Sequence, residues 1–418
     1  MIQVEPKVRG FLCTTAHPLG CLAHVEAQRQ VVEQGFDRGQ HPLLPAGPEA
    51  RPTKVLIIGG SAGYGLASRI TCALGYGADT LSVAMEKPAR GVKPASAGWY
   101  NNFHFEQIAR QKKLYAESID GDAFSDTIKQ QTIATIKAHM GEVDLVVYSL
   151  AAPRRTVVTE SGEQRSFSSA IKPIGQAYSG RTIDTKSGTL TDFHLESASH
   201  TEIEHTVAVM GGEDWYLWMK ALSDADVLSA NVKTVAFSYL GGDMTKAIYG
   251  AATLGAAKED VEYHCDRINR LLGESSVAQP LAQSPQATVA VLKAIVTQSS
   301  AAIPSLPLYI SVLYKVMKQK GLHEGCIDQI VRLFQTGLYP DGRTEGALCQ
   351  MDKPFRFRLD ELEMRADVQQ DVARLWSEVD ESNLHQVTDV ASYQQDFLRL
   401  FGFEWPSIDY QQAVEVAL

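Results

Sequence analysis

The sequence predicts an α/β protein whose core is a parallel, doubly wound sheet. Short apolar runs alternate with stretches of helical periodicity, which is the pattern of strands joined by helical crossovers. A glycine-rich turn follows the first of these runs and leads into a helical stretch. With 418 residues, of which 44% are hydrophobic and 21% charged, the chain has the composition of a globular protein with a large core.

Six buried strands are expected in residues 54–300, which form a Rossmann-like core. They lie in KVLII, TLSVAMEKP, AESID, EVDLVVYSLAAP, VKTVAFSYLGG and VAVLKAIVTQSS, and a long helical stretch near 253–273 separates the last two. Residues 153–197 interrupt the alternation with TVVTES and GTLTDFHLES, which predict a hairpin in an insertion over the carboxyl edge of the sheet.

Two further parts flank this core. The proline-rich segment HPLLPAGPEARP, residues 41–52, predicts a connector that closes an N-terminal extension, residues 1–53. Residues 301–418 have amphipathic helical periodicity and are expected to form a helical part that covers the sheet. The three parts are expected to form one structural unit.

The charge and the apolar runs exclude several classes of function. A net charge of −10 argues against nucleic acid as the main partner. No apolar run reaches the roughly 18 residues that span a bilayer, and the N-terminus lacks the basic start and apolar stretch of a signal peptide. We therefore expect a cytoplasmic protein without membrane insertion, whose six scattered cysteines are reduced.

The segment CTTAHPLGCLAH offers four residue types that can bind zinc. It lacks the C-x2-C spacing of most structural zinc sites, and Pro18 and Gly20 indicate a turn. We therefore predict no metal and a loop buried against the core, with zinc as the alternative at Cys13, His17, Cys21 and His24.

The segment GGSAGYG lies between the first strand and the first helical stretch. Its glycines allow the backbone to approach a pyrophosphate, whose charge the helix N-terminus stabilises. Glu86 closes the second strand, where a carboxylate that binds ribose and repels the 2′-phosphate of NADPH is expected. The pattern predicts NADH as the cofactor, bound by Gly59, Gly60, Ser61, Ala62, Gly63 and Tyr64. A turn without a ligand and a solvated Glu86 are the alternatives.

Other strand ends supply further candidate cofactor contacts. Met85 precedes Glu86 at the end of the second strand, and Asp122 and Ala123 follow the third strand, where adenine is expected. Asp122 is alternatively a helix N-cap. Leu150 and Ala151 end the fourth strand and either flank the cofactor ribose or belong to the core.

Two tyrosine and lysine pairs have the spacing of a catalytic dyad on one helix face. They are Tyr216 with Lys220 in YLWMK, and Tyr314 with Lys318 in YKVMK. The first lies in the helical stretch between the fourth and fifth strands, and the second lies in the helical cover. Both are expected to pack rather than to reach the carboxyl ends of the strands, where the chemistry of such a sheet takes place.

A third pair, Tyr249 and Lys258, follows the end of the fifth strand. Nine helical steps place two side chains on opposite faces, so this pair can converge only if Tyr249 lies on the loop before the helix. Thr253 is a suitable N-cap for a helix that begins after that loop. Tyr239, at the end of the strand, is expected to project towards the same site, and plain packing is the alternative for the pair.

The motif Y-x-x-x-T-L-G-x-A-K, together with GGSAGYGLASRI, resembles the FabV family of enoyl-acyl-carrier-protein reductases, which includes trans-2-enoyl-CoA reductases. VRGFLCTTAHPLGC, VTQSSAAIPSLPLYIS, KGLHEGCIDQI and YQQDFLRLFGF are also similar to that family, so the resemblance spans almost the whole chain. It implies NADH-dependent reduction of an enoyl thioester of acyl carrier protein or coenzyme A, and no metal. It further implies that Tyr249 is the catalytic donor, that Tyr239 contacts substrate, that Lys258 binds the nicotinamide ribose, and that the backbone of Val296, Thr297 and Gln298 contacts the cofactor.

Two other functions remain open from the sequence. A short-chain carbonyl reductase would use a similar tyrosine and lysine on a ketone, whereas a dinucleotide sensor without catalysis would not need the dyad. Arg154 and Arg155 either meet phosphates of an incoming carrier or form a solvated basic turn. A monomer is expected.

Overall fold

The computed structural model describes residues 1–36, 51–158, 162–274, 286–340 and 348–418. The strands in these ranges are β1 (Val8–Arg9), β2 (Leu12–Cys13), β3 (Lys54–Ile58), β4 (Asp79–Ala84), β5 (Ala116–Asp120), β6 (Val143–Tyr148), β7 (Arg154–Val158), β8 (Gln164–Ser168), β9 (Tyr178–Ile183), β10 (Leu190–Leu195), β11 (Leu228–Ser238), β12 (Gln286–Val291), β13 (Gln350–Lys353) and β14 (Arg356–Arg358). The α-helices are α1 (Pro18–Phe36), α2 (Gly63–Ile70), α3 (Ala97–Gln111), α4 (Asp126–His139), α5 (His200–Met210), α6 (Glu213–Asp224), α7 (Thr253–Glu274), α8 (Leu306–Gln319), α9 (Cys326–Leu333), α10 (Ala366–Glu378), α11 (Leu384–Val387) and α12 (Val390–Arg399).

The main sheet has eight strands in the order β13-β14-β12-β11-β6-β3-β4-β5. Seven of them are parallel, and β13 alone runs antiparallel to its neighbour β14. The first core strand, β3, lies between β4 and β6, so the chain winds outwards from the centre in both directions. The predicted doubly wound α/β fold is confirmed.

Helices cover both faces of this sheet because alternate residues of each central strand point to opposite sides. Val55 and Ile57 of β3 belong to a buried cluster with residues of α1, α2 and α9. Leu56 and Ile58 belong to a second cluster with residues of α4, α6 and α7. Burial on both faces explains why β3 is an uninterrupted apolar run, KVLII.

The structure departs from the sequence prediction in three places. The insertion forms two hairpins rather than one, because β7 pairs with β8 and β9 pairs with β10. The sixth strand ends at Val291, and the residues that follow it form a loop. The C-terminal part is mainly helical as expected, but it also contributes β13 and β14 to the sheet.

The N-terminal extension contains a helix where a turn was expected. α1 begins at Pro18, a position that suits proline because the first N–H groups of a helix have no partner within it. Gly20 lies so close to the C-terminal region that a Cβ there would be 1.6 Å from the carbonyl oxygen of Gly402. Most of the predicted connector, residues 41–50, lies outside the described residues. The division of the chain at residues 53 and 300 stays a prediction.

In the part of the chain that the structure describes, no helix is both long enough and apolar enough to cross a membrane.

Candidate active site at the carboxyl edge of the sheet

The predicted site residues follow the ends of parallel core strands. Because parallel strands end at the same edge of a sheet, these segments share one side of the molecule. Their order along the chain is Gly59–Tyr64 after β3, Met85 and Glu86 after β4, Asp122 and Ala123 after β5, Leu150 and Ala151 after β6, Tyr239 after β11, and Val296, Thr297 and Gln298 after β12.

The turn after β3 can be built only from glycine at its ends. Gly59 has φ +88°, and a Cβ there would lie 2.4 Å from the carbonyl oxygen of Ser149. A Cβ at Gly65 would lie 2.0 Å from the carbonyl oxygen of Gly59. These approaches bring the turn against both β6 and the first helical turn, and they keep its backbone free of side chains.

The N-terminus of α2 fits a dinucleotide pyrophosphate. Its N-cap is Ala62, which has no side chain able to bind the first N–H groups of the helix. These N–H groups and the helix dipole favour an anion at this end. Thr297 lies beside the turn, because a Cβ on Gly63 would be 3.9 Å from its methyl carbon. The loops after β3 and β12 therefore border the same space.

Glu86 is held against the glycine turn. Its Oε1 accepts a hydrogen bond from the Ser61 hydroxyl at 2.6 Å, and its Oε2 accepts one from the Ser96 hydroxyl at 2.5 Å. Burial raises the pKa of Glu86, and the two hydroxyl donors oppose that change. A side chain on Gly98 would fill the same space, since a Cβ there would lie 2.0 Å from Oε1. Met85 is 73% exposed beside it.

The turn after β5 differs from one sequence alternative. The carboxylate of Asp122 accepts a hydrogen bond from the Phe124 N–H at 3.0 Å, which closes a short turn. The N-cap of α4 is Ser125, whose hydroxyl accepts from the N–H of Ile128. The alternative that Asp122 caps this helix is therefore wrong.

Two buried side chains that the sequence analysis did not single out support this turn. The Ala123 carbonyl oxygen accepts hydrogen bonds from Lys129 Nζ at 3.2 Å and from the Trp218 indole N–H at 3.1 Å. Lys129 also pairs with the buried carboxylate of Asp214 at 2.8 Å. Trp218, the central residue of YLWMK, therefore fixes the turn that is expected to contact adenine.

The remaining predicted cofactor segments have distinct environments. Leu150 is half-buried and Ala151 is exposed. Thr297 and Ser300 exchange hydrogen bonds between side chain and backbone at 2.9 and 3.0 Å, which fixes the loop after β12. The side chain of Tyr64 turns away towards β11, where it packs on the ring of Phe237 at a centroid distance of 5.6 Å.

Tyr249 lies on the loop before α7, as the third tyrosine and lysine pair requires. Its side chain is 6% exposed, and its ring meets that of Tyr239 edge to face at a centroid distance of 4.8 Å. Burial raises the pKa of Tyr249, so the hydroxyl keeps its proton. Thr253 does not act as the predicted N-cap, because it is the first residue of α7 and its hydroxyl donates to the Ala170 carbonyl oxygen at 2.5 Å.

Lys258 projects from α7 towards the end of β11. Its Nζ donates a hydrogen bond to the carbonyl oxygen of Phe237 at 3.2 Å, two residues before Tyr239. Burial lowers the pKa of Lys258 to about 8, and among the described residues no carboxylate forms an ion pair with it. The site therefore holds a partly desolvated cation whose charge is not neutralised by a neighbouring acid.

The two shorter pairs have other roles. The guanidinium group of Arg267 packs over the ring of Tyr216. Lys220 forms an ion pair with Asp224 at 2.6 Å. Tyr314 is 1% exposed in α8, and Lys318 pairs with Asp389 at 2.8 Å. These placements agree with packing and surface roles.

The candidate zinc ligands are occupied in ordinary contacts. The Cys13 thiol donates to the Thr15 carbonyl oxygen at 3.3 Å, and His17 Nδ1 accepts from the N–H of Gly20 at 3.2 Å. Cys21 is fully buried within α1. Within residues 1–36 and the other described ranges, no group of three or more His, Cys, Asp and Glu side chains is arranged to hold a metal ion.

Arg155 is not part of a solvated basic turn. It is 4% exposed in β7, and its Nη1 donates to the Ala208 carbonyl oxygen at 2.8 Å and to Glu213 at 2.7 Å. These contacts join the first insertion hairpin to the junction of α5 and α6. Of the two arginines, only Arg154 is exposed.

The structure adds a buried carboxylate to this edge of the sheet. Glu363 follows β14 and is 0% exposed. It accepts hydrogen bonds from the hydroxyls of Tyr239 and Tyr309 at 3.1 and 2.7 Å, and from the N–H of Ala294 at 2.7 Å. No sequence motif indicates this residue. Only the pairing of β14 with β12 brings it to the site.

Comparison with known proteins shows the family of the chain. The family model described as "Trans-2-enoyl-CoA reductase catalytic region" matches residues 93–339, which is more than half of the chain. The chain belongs to the trans-2-enoyl-CoA reductase family. Two further family models match: "NAD(P)H binding domain of trans-2-enoyl-CoA reductase" at residues 3–91, and "Enoyl reductase FAD binding domain" at residues 351–414.

Individual members of the trans-2-enoyl-CoA reductase family match nearly the whole of this chain. The enoyl-(acyl-carrier-protein) reductase (NADH) of Pseudomonas aeruginosa is 50% identical, with 98% of this chain and 96% of that protein covered. The trans-2-enoyl-CoA reductase of Euglena gracilis is 48% identical, and the match covers 99% of this chain and 71% of the Euglena protein. The crystal structure of the Treponema denticola trans-2-enoyl-CoA reductase in complex with NAD is 42% identical, with a TM-score of 0.87 and coverage of 99% and 98%.

Residues 351–414 do not fit a flavin dinucleotide. A pyrophosphate needs close approach of backbone at a glycine turn, and Gly402 is the one glycine of this segment. Its backbone is packed on α1, since a Cβ there would lie 2.5 Å from the carbonyl oxygen of His17. Tyr393 and Phe397 of the same segment are fully buried in the core with α8.

Proposed function

We propose that this protein uses NADH to reduce the trans-2 double bond of enoyl thioesters to the acyl thioester. One observation carries the proposal. In a chain of the trans-2-enoyl-CoA reductase family, Tyr249 lies on the loop before α7 at the carboxyl edge of the sheet, and Lys258 projects to the same strand end. A donor hydroxyl and a cation beside a dinucleotide turn suit a reaction in which an oxyanion develops next to a nicotinamide.

The cofactor would lie along the loops after β3, β4, β5, β6 and β12. The N–H groups at the start of α2 would hold its pyrophosphate, and Glu86 would accept hydrogen bonds from the adenosine ribose hydroxyls. A 2′-phosphate would meet the carboxylate of Glu86 as a like charge, which favours NADH over NADPH. When bound, NADH would supply a hydride to the β-carbon of the substrate, and a proton added at the α-carbon would complete the reduction.

Tyr249 would stabilise the negative charge that develops on the thioester oxygen. Among the described residues no group binds its hydroxyl, so the proton remains available for that oxygen. Burial makes a hydrogen bond to the developing enolate stronger than it would be in water. Lys258 would bind the nicotinamide ribose and add positive potential at the same place.

The substrate carrier is acyl carrier protein or coenzyme A, because the chemistry requires only the enoyl thioester that both present. The Pseudomonas aeruginosa relative is named for acyl carrier protein, and the Euglena gracilis relative is named for coenzyme A. A monomer in the cytoplasm stays a prediction.

Parallel assays with crotonyl-CoA and acetoacetyl-CoA test the proposal. With NADH in excess, we expect crotonyl-CoA to be reduced and acetoacetyl-CoA to react at a rate near the background without enzyme. The Tyr249→Phe variant is the control that links the rate to this site. Faster reduction of acetoacetyl-CoA would instead identify a carbonyl reductase. NADH binding without turnover of either CoA thioester or of crotonyl-acyl-carrier-protein would identify a sensor.

A further inference from the structure

Glu363 is a charged group buried completely at the edge of the proposed site. It lies between β14 and α10, with 0% of its surface exposed. Its Oε1 accepts the hydroxyls of Tyr239 and Tyr309, and its Oε2 accepts the N–H of Ala294. Burial raises the pKa of Glu363, and the hydrogen bonds from Tyr309 and from the N–H of Ala294 oppose that change.

These three donors belong to different parts of the site. Tyr239 immediately follows β11 and carries the ring that packs edge to face on Tyr249. Ala294 lies two residues before Val296, where the loop proposed to contact the cofactor begins. Tyr309 lies in the first turn of α8. One carboxylate therefore joins Tyr239, at the end of β11, to the loop that is proposed to border the cofactor.

The contact also fixes the direction of the hydrogen bond at Tyr239. A tyrosine hydroxyl has a single proton, and that of Tyr239 is directed to Glu363 at 3.1 Å. While this bond is made, Tyr239 can offer a substrate only lone pairs or its ring. The donor to a thioester oxygen is then Tyr249 alone.

We propose that Glu363 is a positioning residue: it holds Tyr239 through its hydroxyl, so that the Tyr239 ring orients Tyr249, and it anchors the loop after β12 through Ala294. The proposal rests on the reductase function given above. It assigns to the C-terminal part of the chain a direct influence on the reacting groups, in addition to its role in covering the sheet.

The variant Glu363→Gln separates the two halves of this proposal. The N–H of Ala294 can only donate, so it is expected to take the amide oxygen of the new side chain, and the loop stays anchored. The amide NH2 then faces the hydroxyls of Tyr239 and Tyr309 and reverses the direction of those hydrogen bonds. We expect Kd for NADH, measured by its fluorescence, to stay within about threefold, and kcat/KM for crotonyl-CoA to fall about tenfold or more.

A double-mutant cycle with Tyr239→Phe distinguishes positioning from general destabilisation. If Glu363 acts through the Tyr239 hydroxyl, Glu363→Gln causes less than about a threefold further loss of kcat/KM in the Tyr239→Phe background. In the matched Tyr309→Phe background, which removes the other donor to Oε1, we expect the larger loss to persist. The proposal would be overturned if Glu363→Gln lowered kcat/KM by the same factor in the unmodified protein, in Tyr239→Phe and in Tyr309→Phe.

If Glu363→Gln does not fold, Glu363→Asp takes its place in the same cycle, because it keeps the charge and withdraws the oxygens by one methylene. The same criterion then applies to its kcat/KM. The unmodified protein separates the two claims. Failure to reduce the crotonyl thioester of both coenzyme A and acyl carrier protein would contradict the proposed function, whereas normal activity with independent losses in the cycle would contradict only the role of Glu363.

Discussion

Replacing Lys258 with Met is expected to stabilise the protein while it removes most of the turnover. Burial lowers the pKa of Lys258 from 10.5 to about 8. Because one pKa unit corresponds to about 1.36 kcal/mol, the buried ammonium opposes folding by about 3 kcal/mol at pH 7. The variant also loses the hydrogen bond to the Phe237 carbonyl, which lowers its free energy of unfolding by about 1 kcal/mol. The net gain is about 2 kcal/mol in the free energy of unfolding.

The stability gain of Lys258→Met is expected to decrease as the pH rises. The pKa of Lys258 is lower in the folded protein than in the unfolded chain, so the unfolded chain binds more protons between pH 8 and 10.5. The stability of the unmodified protein is therefore expected to rise across this interval as the ammonium loses its proton. The advantage of Lys258→Met is largest at pH 7 and shrinks towards about pH 10.

Thermal unfolding of the protein without cofactor measures the effect. An unfolding entropy of about 2.1 cal/mol/K per residue converts a gain of about 2 kcal/mol into a rise of about 2 °C in Tm for a chain of this length. Lys220→Met is the matched control, because Lys220 is exposed and paired with Asp224, and its Tm is expected to change by less than about 0.5 °C. A lower Tm for Lys258→Met at pH 7, or turnover at the unmodified rate, would refute the reasoning.

Three further changes test other parts of the site. Tyr249→Phe should lower kcat for crotonyl-CoA by about 100-fold or more while NADH binding persists, whereas Tyr216→Phe should leave kcat unchanged; exchanged outcomes would place the dyad elsewhere. Glu86→Ala should narrow the preference for NADH over NADPH in kcat/KM, and equal use of both by the unmodified protein would contradict the role of Glu86. Gly59→Ala should weaken NADH binding and lower Tm, because its Cβ would meet a carbonyl oxygen at 2.4 Å. Gly77→Ala is the control for backbone strain alone, because Gly77 has φ +72° and open space where its Cβ would lie. If the two alanine variants had the same Kd for NADH, the turn at Gly59 would have no special role in binding.

The core strands and the cofactor turn could be predicted because their signals are local. Val55, Leu56 and Ile57 form an apolar run since both faces of β3 are covered, and a run of this kind is visible without knowing its neighbours. The glycines at 59 and 65 are visible for a similar reason, because the close approaches at the turn leave no space for a side chain. Parallel pairing then places every strand end, and so every predicted site segment, at one edge.

Local geometry also gave the condition under which Tyr249 and Lys258 could share a site. A spacing of nine residues places two side chains on opposite faces of one helix, so the pair could converge only if the tyrosine preceded the helix that bears Lys258. The structure confirms that arrangement, since α7 begins at Thr253. The detail at Thr253 could not be predicted, because its hydroxyl is bound by Ala170 of the insertion, more than eighty positions earlier.

Contacts distant in sequence decided the rest. β13 and β14 are short, and the four residues of β13 are all exposed, so they lack the alternation by which a strand is recognised. They become strands because β12 offers an unpaired edge. Glu363 reads in the sequence as one acid among several in a polar stretch, and burial of its carboxylate requires donors from β11, α8 and the loop after β12. Only the tertiary structure brings those donors together, because a buried charge is stable only where partners from separate elements surround it.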